Sequence, residues 1–433
     1  MANSKNWPLS TFGRQLAQGS GIGDLMDDLG HALAQGGDNL LMLGGGQPAY
    51  LPEVDLVWRQ RCEQIVRQAS DLRAVVGNYE PPLGSTVFRE SIARLLRSRY
   101  GWDLTLENVA ITAGGQTAFF YLFNAFNGDF GVQPSKRVLF PLVPEYIGYA
   151  NQSVTGDMFC SVRPHLDLIG DHEFKYRVDF DALRVDSSVG AICVSRPTNP
   201  TGNVLTDEEI DRLHELATQA DVPLMVDQAY GAPFPDVIFP EIKPRWDEQM
   251  ILTLSLSKLG LPGTRTAAVI ACPKIIQAIG SMNSIVGLAN SNLGQAIVQP
   301  LLDSGEICRL TRDHIRPFYQ KKSQFAQACL HHCFDSSLPY RVHVSEGAFF
   351  LWLWFKDLPI HSQELYERLK RRGVLVVPGH HFFFGLGSAG EDQSSQWQHA
   401  GECLRVSFAM PDETIQAGME IIASEVKKAY AQA

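Results

Sequence analysis

Residues 255 to 265 read SLSKLGLPGTR: a lysine between hydroxyls, a Gly/Pro-rich turn, and an arginine seven positions after the lysine. Ser255 and Arg265 could hold an anion while the Lys258 amine does covalent chemistry beside it, because hydroxyls and a guanidinium fork suit phosphate. Taken alone, the stretch serves equally well as a strand end with Lys258 and Arg265 in solvent. Four other segments bear on the choice. TAGGQTAFFYLFNAF (112 to 126) leaves the Gly115 and Gln116 amides at the start of an apolar helix, where free N–H groups and the helix dipole favour phosphate, although a plain glycine turn has the same look. PLVPEYIGY sets Tyr146 just past a strand, where its face can stack on a flat ring or fill the core. RPTNPTG carries Asn199, both donor and acceptor, between two stiffening prolines. VDQAYG supplies Asp227 at a strand terminus, able to pair with a protonated ring nitrogen, and Tyr230, whose phenol can donate to a ring oxygen.

NPTG, DQAYG and SLSKLGLPGTR, in this order and spacing, resemble the fold-type I aminotransferases that use pyridoxal 5'-phosphate (PLP). The likeness runs through essentially the whole chain, including LMLGGGQPA, LFPLVPEYIGYA, CVSRPTNPTGNVLTDEE and EGAFFLWLWFKDLPI. It implies that Lys258 bonds to the cofactor aldehyde and, once displaced by substrate, moves the proton between the substrate α-carbon and the cofactor. Asp227 would keep the pyridine nitrogen protonated, Tyr230 and Asn199 would bond the ring oxygen, and Tyr146 would stack on the ring. The phosphate would lie among Gly115, Gln116, Ser255, Ser257 and Arg265; a serine often stands in this family where Gly115 stands here. The substrate carboxylate would fall to Arg405 of CLRVSFAM, helped by Asn199 and the backbone near Gly46. Tyr79 of NYEPPLG would cross a dimer interface to the neighbouring phosphate, so a homodimer is expected.

The reaction so implied is a ping-pong transfer of nitrogen from L-valine to pyruvate, giving 3-methyl-2-oxobutanoate and L-alanine. Another alanine-forming, aromatic or branched-chain aminotransferase, or a PLP β-lyase, is the alternative on the same scaffold. Tyr50 and Phe382 to Phe384 are candidate liners of the side-chain pocket. His380 and His381 are taken as loop or pocket-wall residues, and CLHHC (329 to 333) as a helix face, so no metal is expected.

The elements that must position these residues are apolar, β-branched runs alternating with segments of helical period, the order of an α/β fold with a mainly parallel sheet. Candidate strands are 108 to 112, 137 to 141, 190 to 195, 223 to 227, 251 to 255 and 266 to 271. The first five end where polar or Gly-rich residues begin, which is where an open α/β sheet takes its ligand. Thr206 and Glu209 form a capping box for a helix with Ile210, Leu213 and Leu216 inward. YRVHVSEGAFFLWLWF, GVLVVPG and LRVSFAM look like further strands, and a last helix starts at Asp412 or Glu413. The expected division is an N-terminal segment (1 to 55) packing with the small domain, a large PLP-binding domain (56 to 311) whose sheet the family resemblance puts at seven strands sandwiched by helices, and a small α+β domain (312 to 433).

At 433 residues two lobes are the default. With 45% hydrophobic and 19% charged residues the mixture is ordinary for a globular protein. A net charge of -10 disfavours nucleic acid, which needs a basic face. A PLP-sensing transcription regulator would need a DNA-binding module, and the roughly 40 residues before LMLGGGQP are neither basic nor long enough. The first residues lack a signal-peptide core and FFLWLWF is too short to span a bilayer, so a cytoplasmic protein with eight free thiols is expected.

Overall fold

A computed structural model describes residues 7–17, 19–36, 40–387 and 397–432. The strands begin with β1 (Leu41–Met42), β2 (Val109–Thr112), β3 (Gly128–Phe130), β4 (Gln133–Phe140) and β5 (Phe159–Ser161). A hairpin follows, β6 (His165–Ile169) and β7 (Glu173–Arg177), and then β8 (Val189–Ser195), β9 (Leu224–Gln228), β10 (Met250–Ser255) and β11 (Ala267–Ile270). The C-terminal strands are β12 (Tyr340–His343), β13 (Phe350–Phe355), β14 (Val374–Leu375), β15 (Val377–Pro378) and β16 (Cys403–Ser407).

The six strands expected in the N-terminal two thirds are β2, β4, β8, β9, β10 and β11. Every residue of β2, β8, β10 and β11 is buried, which is why they read as unbroken apolar runs and not as alternating ones. They form one sheet in the order β2-β11-β10-β9-β8-β4-β3, with β5 added beside β4. That makes eight strands where seven were expected. β10 pairs in parallel with β9, β9 with β8, β8 with β4 and β4 with β5; β11 lies antiparallel between β10 and β2. Consequently β2, β8, β9 and β10 all run the same way, and their C-terminal ends share one edge. Helices cover the sheet: Gly115–Phe126 buries Ala118, Phe119, Tyr121, Leu122 and Phe123. Asp207–Gln219 starts at the expected capping box, with Thr206 Oγ1 accepting from Glu209 N and the Glu209 carboxylate from Thr206 N.

The second sheet has six strands in the order β15-β16-β13-β12-β7-β6. A cut at residue 312 therefore does not separate the two sheets. The hairpin β6–β7 lies far upstream of it yet joins the C-terminal strands through β7 and β12, with Val342 opposite Glu173. β6 is half-exposed, so it lacks the apolar run that would have marked it. GVLVVPG, expected as one strand, divides into β14 on β1 and β15 on β16. β1 brings the N-terminal segment alongside, where Ser407 N donates to Leu43 O at 2.7 Å. The last helix, Asp412–Ala431, packs Ile415, Met419, Ile422 and Val426 inward.

Candidate active site

The shared edge of β2, β8, β9 and β10 gathers most of the predicted residues. Asp227 stands near the end of β9, and its carboxylate accepts from Tyr149 Oη at 2.5 Å, Ala229 N at 2.8 Å and Thr253 Oγ1 at 3.0 Å. Burial raises its pKa, and those three donors oppose the rise by favouring the charged form. Lys258 follows β10 in a short 3-10 turn, and its Nζ donates to Gly46 O at 2.6 Å. The ammonium also lies 5.4 Å from the Tyr230 ring and 6.0 Å from that of Phe349. Burial and the charge of Arg405, with Arg265 adding to it, push the Lys258 amine down to about 8 against the pull of Asp227.

The second sheet contributes Arg405 from β16, only 3% exposed. Its Nη1 donates to Asn199 Oδ1 at 2.8 Å and its Nη2 to Gly44 O at 2.7 Å, while Nε is buried without a partner. Its guanidinium sits 4.3 Å from the Phe350 ring and 5.3 Å from that of Phe382. Burial lowers its pKa to about 10. Asn199, Gly44, Gly46 and Arg405 thus come together although they are 361 residues apart at the extremes.

At the other end of the cluster, the helix Gly115–Phe126 opens beside Arg265. Gly114 has φ +92°, and a β-carbon there would stand 2.2 Å from Arg265 Nη2. Glycine is required on both counts, since L side chains rarely adopt that φ and the guanidinium occupies the space. Arg265 also donates to Ala113 O at 3.3 Å. A β-carbon on Gly115 would meet nothing within 4 Å, so the space beside the helix start is open. Gln116 Nε2 donates to Gly148 O at 2.7 Å, and Ser257 N donates to Ser255 Oγ at 3.2 Å.

Tyr230 is buried edge-on to Phe349, with its phenol pushed well up by burial. Tyr146 is half-buried and T-shaped against Tyr149 at 5.2 Å. Tyr79, by contrast, is 84% exposed. Of the candidate pocket liners, Tyr50 lies with Lys258, Trp58 and Tyr319 around a cavity beside the lysine. Phe382 faces Arg405, whereas Phe384 packs on Phe140 and Phe159.

Some residues of the site had no sequence signal of their own. Tyr149, which donates to Asp227, sits three residues after Tyr146, but only the adjacency of strand ends gives it that partner. Tyr319 accepts from Ala49 N at 2.8 Å and stacks on Phe349 at 4.0 Å, holding the loop that carries Gly46.

The donor set fits PLP. A carboxylate held for a ring nitrogen, a primary amine of lowered pKa, a helix N-terminus backed by a guanidinium, and a second buried guanidinium with an orphan Nε match an aldehyde, a pyridine ring, a phosphate and a substrate carboxylate. Fold and site together define a fold-type I, PLP-dependent aminotransferase.

The chain belongs to the family described as aminotransferase class I and II, which matches residues 39–422. It is 44% identical over 98% of its length, and 99% of the relative's, to the valine–pyruvate aminotransferase of Escherichia coli (strain K12). The crystal structure of a putative amino-acid aminotransferase from Psychrobacter arcticum 273-4 superposes with a TM-score of 0.93 at 42% identity, covering 99% of this chain and all of that one. The valine–pyruvate aminotransferase AvtA from Salmonella typhimurium LT2 superposes with a TM-score of 0.85 at 43% identity, covering 95% of this chain and 100% of that one. Among the described residues no helix is long and apolar enough to cross a membrane.

Proposed function

We propose that the protein transfers nitrogen from L-valine to pyruvate on PLP by a ping-pong sequence, yielding 3-methyl-2-oxobutanoate and L-alanine. The observation that carries this reading is the full-length likeness to a valine–pyruvate aminotransferase at 44% identity. When bound, PLP supplies an aldehyde that takes up amines and a ring that withdraws electrons.

The chain's own residues hold and orient. Asp227 is assigned the pyridine nitrogen, Asn199 and Tyr230 the ring oxygen, and Tyr146 the ring face. Gly115, Gln116, Ser255, Ser257 and Arg265 are assigned the phosphate. Lys258 carries the covalent link and, when freed, takes the substrate α-proton at Nζ and hands it on; a pKa of about 8 leaves about a tenth of the amine neutral at pH 7 and about half at pH 8, against well under a hundredth at the free value. Arg405, with Asn199 and the backbone at Gly46, binds the substrate carboxylate. The orphan Nε and the two fixed Nη bonds support that role, because a pre-oriented guanidinium loses little entropy on binding.

The active unit is proposed to be a homodimer, with Tyr79 reaching the neighbouring subunit's phosphate. Tyr79 lies in a segment held against 290–292, where Asn292 Nδ2 donates to Asn78 O and Asn290 Nδ2 to Pro82 O. Exposed Val76, Ile285 and Leu288 lie in or near these two segments, an apolar surface suited to a second copy. The proposed division is an N-terminal segment (1 to 55), a large domain (56 to 311) and a small domain (312 to 433), the hairpin β6–β7 being the part of the 56 to 311 segment whose strands extend the second sheet, and the proposed setting is the cytoplasm.

An amino-donor panel with pyruvate as acceptor tests the substrate. Alanine formation from valine should rank at or near the top. Strong activity with another donor beside undetectable transfer from valine, or elimination in place of transfer, would replace this reading by one of its neighbours on the scaffold.

A further inference from the structure

Glu145 is a carboxylic acid 1% exposed, one residue before Tyr146, with no part in the roles above. Its Oε1 accepts from Ser195 N at 2.8 Å, and its Oε2 accepts from Ser195 Oγ at 2.7 Å and Tyr146 N at 3.1 Å. Its own N–H donates to Phe382 O at 3.0 Å. The sheet explains why such a group is needed. β4 and β8 pair only as far as Leu139 and Ile192, then diverge to open the crevice. Beyond that point Ser195 N no longer has a carbonyl of β4 to donate to, and a buried N–H without an acceptor is costly. The Glu145 carboxylate takes the place of the missing ladder bond.

We propose that Glu145 is a positioning residue, a side-chain clasp between the exits of β4 and β8 that sets Tyr146 on one side and the turn to Asn199 on the other. From Ser195 the connection is short. Ser195 O accepts from Thr198 Oγ1 at 3.0 Å, Arg196 N donates to Asp227 O at 2.8 Å, and Asn199 Oδ1 accepts from Arg405 at 2.8 Å. Through Phe382, whose ring lies 5.3 Å from the Arg405 guanidinium, the clasp reaches the second sheet as well. The substrate-side half of this inference rests on the reading that Arg405 and Asn199 bind the substrate carboxylate.

Burial pushes the acid up to about 8, against the three donors that favour its charged form. The ionisable groups facing it are Asp227, Tyr149 and Cys193. The clasp therefore carries a proton over much of the physiological range, and glutamine copies only part of it: its carbonyl can accept from Ser195 N and its amide can donate to Ser195 Oγ, but the Tyr146 N–H then loses its acceptor, since an amide nitrogen cannot accept.

The test compares E145Q, E145A and R405K as holoenzymes, with thermal denaturation checking the fold of each. E145A should raise KM for the amino donor about tenfold or more and weaken PLP binding, measured by fluorescence quenching of the apoprotein, and E145Q, which keeps part of the clasp, should fall clearly between E145A and the wild type in both. Infrared difference spectra of the apoprotein between acid and alkaline pH should contain a buried carboxylic-acid band that E145Q lacks. Equal damage in E145Q and E145A, or an E145A enzyme with unchanged KM and PLP affinity, overturns the clasp. Should R405K leave KM unchanged, the carboxylate reading itself fails; should R405K raise KM while E145A does not, only the clasp fails.

Discussion

A lysine amine loses its proton at about 10.5 in water and at about 8 in this site. After burial, the largest cause is Arg405, a cation that cannot be neutralised by losing its own proton near neutral pH. Replacing it with methionine keeps the volume and removes the charge, so the Lys258 pKa should climb back toward the free value. The measurement is the pH dependence of the rate at which the apoenzyme amine condenses with an aldehyde; its midpoint near 8 should move up in R405M. An unmoved midpoint would assign the depression to burial and Arg265 without Arg405. The sign for stability also follows: a depressed lysine destabilises the fold below about 8, and that penalty is relieved as pH rises from about 8 to 10.5. Lys258, Asp227 and Asn199 were legible in the sequence because each lies in a short local motif at a strand end. Tyr149 and Glu145 were not, since a glutamate just before Tyr146 and a tyrosine three residues after it take their roles from whichever strand end is the neighbour.

At the scale of elements, what matters is that four strands end on one edge and that helices start there. The helix Gly115–Phe126 begins against Arg265, with Gly114 at φ +92° between them. An alanine at 114 would put a β-carbon 2.2 Å from Arg265 Nη2 and force the guanidinium away. Loss of one charged hydrogen bond is worth about 1.5–3 kcal/mol, or about 10- to 150-fold in affinity. G114A should therefore weaken PLP by about that factor while leaving the binding of unphosphorylated pyridoxal nearly unchanged; an equal loss for both ligands would mean that the helix start does not serve the phosphate. The central strands and this helix were legible because the strands are mostly buried runs and the helix is strongly apolar, with Ala118, Phe119, Tyr121, Leu122 and Phe123 buried. Periodicity missed the hairpin β6–β7, whose first strand is largely exposed, and it found GVLVVPG as one strand without its division into β14 and β15, which are two residues long and depend on distant partners.

At the scale of the whole molecule, the chain carries apolar groups in water at Val76, Ile285 and Leu288 near the exposed Tyr79. A proposed homodimer covers them, and it makes a demand that a monomer does not: each site would draw Lys258 from one subunit and Tyr79 from the other. K258A and Y79A should each be impaired, Y79A through weaker PLP binding. Mixing them by co-refolding yields heterodimers in which one site carries both defects and the other none, because an isologous interface exchanges residues reciprocally. With random pairing about a quarter of all sites are then intact. Activity at limiting PLP should rise well above the average of the two parents, toward about that fraction of wild type. If the mixture instead gives only the average of its parents while sedimentation confirms that heterodimers have formed, Tyr79 serves its own subunit or none, and the apolar surface around it needs another explanation.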